Sequence, residues 1–454
     1  MRRESFLTPV KFPRRKGLAV AAVASASLLL AACGSSSSSS STASGSPAAS
    51  GSGSASAASL LATACIDNSN LGGDLTIPVG AVLSLSGSGA FYGDTMSSGA
   101  KLAAAEIKAA GGPDFQLNLL DHKDGNAQAG VAATRQLGEN GTRFALYSYI
   151  GALGSAFQGI EQYKMLSLDG GGGTQLFGQG KPYFYGTRAP QPFDSFPGIA
   201  EWIKTKQPNV KTASIILPDN GTENVKQTLA SATAALASIG VTVKDSEVVP
   251  YGGTDFQTAV TKIIAANADA VINTQYGSDV GYFLKQYRGA GGKALVVGVD
   301  LVPDVLKIAG PQAAAGFAFG TEYLDPTSPG NDWGKHFVEA WKAAYPDKPA
   351  PDFYAGDYYR DMFVIWHVVQ RVLASGGDVN NPDDVLKAFT SDLTFPDVKG
   401  EPANGTQCGA FSIDPTTHAA TSTAMAMLEV QPDGTSTKKV ATFNVDAKDF
   451  KLIN

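Results

Sequence analysis

From Leu75 onward the chain alternates between short apolar runs and longer segments of helical spacing, and this alternation leaves few folds open. The runs TIPVGAVL, FQLNLLD, TASIILP, ADAVINT and ALVVGV read as buried strands. Between them, Met96, Ala100, Ala103 and Ile107 fall on one face of a helix that starts near Asp94-Thr95 and stops at Gly111-Gly112-Pro113. Val225–Ile239, Phe256–Ala268, Val280–Ala290, Trp333–Tyr345 and Tyr358–Leu373 read as further helices. Strand and helix in turn imply βαβ units, hence an α/β fold of parallel sheets with helices on both faces. The stretch is too long for one sheet, and the pattern restarts at KTASIILPDNGTEN, so two lobes are expected with TRAPQPFDSFPG as the crossover. In such sheets ligands bind beyond the carboxyl ends of the strands, which directs attention to the loops that follow them.

The N-terminal region reads differently. Arg2, Arg3, Lys11, Arg14, Arg15 and Lys16 precede an uncharged apolar run from Gly17 to Leu30 that ends in LAAC. This is the order of a secretory signal, with a run too short for a comfortable membrane span of about 20 residues. LAAC resembles a bacterial lipobox, so residues 1–32 are expected to be a signal peptide and Cys33 the lipidated first residue of the mature chain, the alternative being a plain secretory signal with an incidental cysteine. Residues 33–65, rich in Ser, Gly and Ala, cannot repay the entropy of ordering and are expected to be a flexible tether. Loss of residues 1–32 moves the formal charge from −6 to −11, which argues against nucleic acid as a partner and against a basic membrane-binding surface. The expected location is extracytoplasmic, with the membrane reached only through the lipid. There, Cys65 and Cys408 are expected as a disulfide, the alternative being two isolated thiols.

No catalytic constellation is found. Gly87, Gly89 and Gly93, in SLSGSGAFYGD, give a spacing one residue longer than the dinucleotide fingerprint. GGGGTQLFGQGKP fails as a phosphate loop because Gln175 occupies the first glycine position and Pro182 the hydroxyl position. His122, His336, His367 and His418 show no metal spacing, Asp121 and Asp124 read as a turn rather than a metal site, and no G-x-S-x-G elbow occurs. A binding protein without cofactor or metal is the leading class.

The opening S-x-S-G-x-x-x-x-Y-G-D with GAKLAAAEIKAAGG, then LLDHKDGNAQAG, YGGTDFQTAVTKIIAANADAVI, and YFLKQYRGAGG before VVGVD, in this order, resemble the branched-chain amino-acid (Leu/Ile/Val)-binding family. These are substrate-binding proteins of ABC importers. The resemblance covers about residues 75–454 and implies a type I periplasmic-binding fold: two Rossmann-like lobes, joined by three crossover strands, that close on a small ligand. It divides the chain into lobe 1, 75–191 and about 321–400, and lobe 2, 192–320 and about 401–454. It implies a monomer that delivers an amino acid or related amphiphile to ABC permease subunits, with a ligand-sensing receptor module as the alternative on the same fold.

Carried over position by position, the resemblance places the ligand carboxylate at Ser155 and at backbone N–H groups of Gly171, Gly172 and Gly173, although a glycine turn explains the latter equally well. Tyr92 and Tyr276 match pocket tyrosines. Asp300 falls where relatives receive the α-ammonium, with a helix cap at Pro303-Asp304 as the alternative. Asn220 stands where relatives carry a tyrosine, which points to a more polar ligand. Asp194 and Ser195 are expected to cap a helix, and one of Tyr358 and Tyr359 is expected to line the cleft, Tyr359 being the first choice and Tyr358 the alternative.

Overall fold

The structure is a computed structural model that describes residues 60–149, 152–171, 180–400, 407–421, 423–445 and 447–453. Cys33, the signal segment, the tether up to residue 59 and Gly172 and Gly173 lie outside the described residues. Among the described residues, no helix is long and apolar enough to cross a membrane.

Two sheets carry the fold. The first contains β1 (Thr76–Leu83), β2 (Asp114–Asp121), β3 (Phe144–Tyr147), β4 (Leu166–Asp169) and β5 (Phe184–Gly186), all parallel, in the order β2-β1-β3-β4-β5. The second begins with β6 (Thr212–Asp219), β7 (Thr242–Pro250), β8 (Ala270–Asn273), β9 (Leu295–Gly298) and β10 (Ala318–Glu322), again parallel. A short antiparallel pair, β11 (Thr394–Phe395) with β12 (Phe411–Ser412), stands apart from both. The antiparallel strands β13 (Met425–Val430), β14 (Thr437–Phe443) and β15 (Lys451–Leu452) then extend the second sheet from β10. Strict alternation does not foresee that edge. Its signal is the turn Gln431–Ser436, where the Asp433 carboxylate accepts from the N–H groups of Thr435 and Ser436.

The strand runs lie within a residue or two of their expected positions; in β1 both faces are covered, with Val79, Ala81, Val82 and Leu83 fully buried, whereas the edge strand β2 is only partly covered. The first helix after β1 spans Ala90–Ala109, starting four residues earlier than its apolar stripe suggests. Met96, Ala100, Ala103 and Ile107 are fully buried, as that stripe requires. It packs against the helix Phe353–Ala374, which is buried on nearly every side. Gly99 makes close approach possible: a Cβ there would sit 2.2 Å from the Ala355 carbonyl oxygen.

Three boundaries differ from expectation. Residues 60–65 are not tether, since Leu60 and Ala64 are buried in the core and Cys65 is bonded to Cys408. The segment that follows is strapped to the helix Phe353–Ala374, where Gln370 Nε2 donates to the carbonyls of Asp67 and Ser69 at 2.7 and 2.9 Å. The boundary near residue 401 falls too early. His418 O accepts the Gly186 N–H of β5 at 2.7 Å and the His418 ring stacks on Tyr185, so the return to the second sheet follows Ala420. A free edge N–H on β5 is what draws that segment back. Finally, Asp194 stands at the N-cap of the helix Ser195–Lys206 but makes no side-chain cap bond, and Ser195 Oγ donates instead to Gln191 Oε1 at 2.5 Å.

Candidate functional site

The opening glycine loop lies at the start of the helix Ala90–Ala109, where free N–H groups and the helix dipole favour an anion. An anion is already there. Asp124 Oδ2 accepts from Ser88 N at 3.0 Å and Ser88 Oγ at 2.6 Å, and Oδ1 accepts from Gly89 N at 3.0 Å. Gly87, at φ +81°, allows the carboxylate to approach. Asp121 fixes the same loop by accepting from Leu85 N and Ser86 Oγ. Both aspartates therefore shape the loop, and their oxygens point at N–H and O–H donors.

A cavity of about 610 Å³ opens beyond the carboxyl ends of both sheets. Tyr92, Asp124, Tyr149, Gly171 and Arg188 reach it from loops and helix starts after the strands of the first sheet. Asn220, Tyr251, Tyr276 and Asp300 reach it from the second. Each sheet reverses its strand order here, at β1/β3 and at β6/β8, so neighbouring loops diverge and leave a crevice.

Asp300 is 3% exposed and well bonded. Its Oδ2 accepts from the hydroxyls of Tyr92 and, at 3.1 Å, Tyr354, while Oδ1 accepts from Leu301 N at 2.7 Å. Burial raises its pKa, and the Tyr92 hydrogen bond and the charge of Arg188 oppose that shift. It does not cap the following helix, whose N-cap is Val302. The Tyr92 hydroxyl also accepts from Gly277 N at 2.9 Å, and burial followed by Asp300 pushes its pKa well up.

The structure brings Tyr92, Ser155, Gly171, Asn220, Tyr276 and Asp300 to this one cavity. Ser155 is exposed there. Gly171 does not offer a bare N–H, because that group donates to Asp169 Oδ1 at 2.9 Å and its carbonyl accepts from Arg188 Nη1 at 2.9 Å. Tyr359 is not on the cavity wall. It is fully buried among Trp333, Phe337 and Phe363, and its hydroxyl donates to Glu106 at 2.5 Å. The helix turns 100° per residue, so the tyrosine facing the cavity is Tyr354, while Tyr358 one turn on donates to the Tyr147 carbonyl oxygen.

Sequence reasoning missed Tyr149, Tyr251, Tyr354 and Arg188. The first two directly follow β3 and β7, where the strand-end rule points. Arg188 is the sole charge in the proline-rich stretch TRAPQP, and it is 2% exposed. Behind it lies a buried ionic cluster at the chain crossings. Arg188 Nε is 4.0 Å from Glu322, Lys399 Nζ is 2.9 Å from Glu322 and 2.6 Å from Asp357, and Arg360 Nη1 is 3.0 Å from Asp357 and 3.1 Å from Asp397. Against the effect of burial, Lys399 and Arg188 hold Glu322 below the usual carboxylate range, whereas burial leaves Asp357 raised.

The family profile described as "Periplasmic binding protein" matches residues 76–435. The Leu/Ile/Val-binding protein homolog 8 of Brucella melitensis is 27% identical over 358 residues, 73% of this chain and 84% of that protein. Among solved structures, the leucine-binding protein LivK of Thermotoga maritima superposes with a TM-score of 0.68 at 18% identity, covering 81% of this chain and 99% of its own. A solute-binding protein of an ABC transporter from R. palustris, in complex with benzoate, gives 0.67 at 17% identity, covering 81% and 96%. At these identities the structural likeness speaks for the fold, whereas the profile spans well over half of the sequence. The chain therefore belongs to the periplasmic binding protein family.

Proposed function

We propose that this protein is the lipid-anchored, extracytoplasmic solute receptor of an ABC importer, which binds an amino acid or related small amphiphile and delivers it to permease subunits. The observation that carries the reading is the cavity itself, which both sheets line at the carboxyl ends of their strands and which neither completes alone. A ligand in such a place touches both halves and so favours the closed arrangement, which a membrane partner can recognise. The relatives support the transport role, since their names describe binding of Leu/Ile/Val or association with an ABC transporter.

Within this reading Tyr92, Tyr276 and Asn220 contact the ligand, Ser155 supplies a hydroxyl, and Asp300 places negative charge beside it. The anchor is Cys33. A thermal-shift screen of amino acids, amides and aromatic acids against the full chain tests the reading, because a ligand at 100 times its Kd stabilises by about 2.7 kcal/mol. A screen in which no small solute moves the melt counts against it. Cys33→Ala should release the protein from the membrane fraction, and retention there would remove the anchor.

A further inference from the structure

The wall chemistry of the cavity narrows the ligand class. Its apolar surface is aromatic rather than aliphatic: Tyr92, Tyr149, Tyr251, Tyr276 and Tyr354 face it, and Val299 is the one branched aliphatic residue among the described lining residues. Four of the rings adjoin at steep angles. Tyr354 and Tyr92 are 5.0 Å apart at 73°, Tyr92 and Tyr149 6.0 Å at 67°, and Tyr149 and Tyr251 6.0 Å at 88°. These rings line one stretch of the wall in edge-to-face succession, and a tyrosine ring attracts a cation that comes over its face within about 6 Å.

The charges agree. Asp124, Asp219 and Asp300 line the cavity against one guanidinium, that of Arg188. Arg188 already faces Glu322, donates to the Gly171 carbonyl, and lies over the rings of Phe353 and Tyr354 at 5.1 and 5.2 Å. Arg188 is thus shared between Glu322 and the cavity, where its charge acts on Asp300, and three carboxylates to one guanidinium give the described lining a formal charge of −2.

Asp300 has little acceptor capacity left for a ligand, about one lone-pair site of four. Its two oxygens already accept from two tyrosine hydroxyls and a backbone N–H. A primary ammonium has three donors to place, whereas an alkylated one has few or none and needs only aromatic faces and a nearby negative charge. We propose, on the footing of the solute-receptor reading, that the site takes an N-methylated ammonium compound, as a cation or a betaine-type zwitterion, with its methyl groups against the tyrosine rings and Asp300 as the counter-charge.

Calorimetry on the full chain tests this with isosteric pairs: choline against 3,3-dimethylbutan-1-ol, and glycine betaine against 3,3-dimethylbutanoate, with leucine and benzoate alongside. The trimethylammonium member of at least one pair should bind ten times tighter or more than its carbon twin. Tyr251→Leu should weaken that binding about tenfold, and Tyr251→Phe, which keeps the ring, should restore it. Equal affinity within both pairs overturns the proposal, as does binding of leucine or benzoate with neither ammonium probe bound, and in the latter case the solute-receptor reading stands. If none of the six compounds binds, this proposal falls, and the wider screen decides the other.

Discussion

The hydroxyl of Tyr92, on the helix that follows β1 of the first sheet, donates to the carboxylate of Asp300, which follows β9 of the second. The cleft is thus bridged by protein alone, and Gly277 N–H donating to the same hydroxyl adds a second tie. Tyr92→Phe removes both while keeping the ring. Bonds to charged groups contribute about 1.5–3 kcal/mol, so the variant should lose stability of that order in urea unfolding. The ligand-free protein should also show a larger radius of gyration by small-angle scattering. An unchanged radius would mean that the bond does not hold the two halves together.

Asp124 takes the place a bound anion would occupy at the start of the helix Ala90–Ala109. Asp124→Ala should cost about 2 kcal/mol, since Ser88 N, Ser88 Oγ and Gly89 N, and more weakly Ser84 Oγ at 3.4 Å, lose their acceptor beside the helix dipole. The emptied loop should then bind sulfate, so that sulfate raises the melting temperature of the variant more than that of wild type. Equal responses would show that the glycine loop is no anion site even when vacant.

These two aspartates show how far the sequence could be read. Strands buried on both faces announce themselves by composition and the loops after them indicate where to look, but it is the resemblance to the Leu/Ile/Val-binding family that singles out Tyr92, Tyr276 and Asp300 within those loops. What fills the glycine loop could not be read, because Asp124 arrives from the next βα unit and no local pattern pairs it with Ser88. The choice between Tyr358 and Tyr359 is open in the sequence for a similar reason. In a helix buried all round, periodicity does not say which tyrosine faces the cavity, and contacts with Glu106 and Trp333 decide it. Arg188 has no local sequence signal because its partners, Glu322 and Gly171, are far apart in the chain.

The ionic cluster at the chain crossings should be sensitive to loss of a single cation. Lys399 touches Glu322 and Asp357, and all three side chains are fully buried. Lys399→Met leaves two buried carboxylates short of a partner, a change that costs about 3–5 kcal/mol in comparable settings. Adding Asp357→Asn should recover part of the loss, measured as ΔG of unfolding at pH 7 for the three proteins. If the double variant is no more stable than Lys399→Met, charge imbalance is not what the lysine relieves.

Asp279 opens the helix Asp279–Gly289, where it is 1% exposed. Its Oδ2 accepts from Gly252 N at 2.9 Å, and Oδ1 has no hydrogen-bond partner. Burial pushes its pKa up to about 7, the Gly252 N–H opposes this, and Asp124 adds to it. Between the unfolded value near 4 and about 7, the folded protein therefore binds more protons at this site than the unfolded chain, and stability falls as pH rises through that window. Asp279→Asn keeps the acceptor for Gly252 and has no proton to lose. The stability of wild type relative to this variant should decline by up to about 1.4 kcal/mol per pH unit between pH 4 and 7 and level off above. Urea unfolding of both proteins at pH 5, 6, 7 and 8 checks the slope, because the other titrating groups cancel in the difference. A difference that stays constant over that range would mean that Asp279 remains ionised in the folded protein despite its burial.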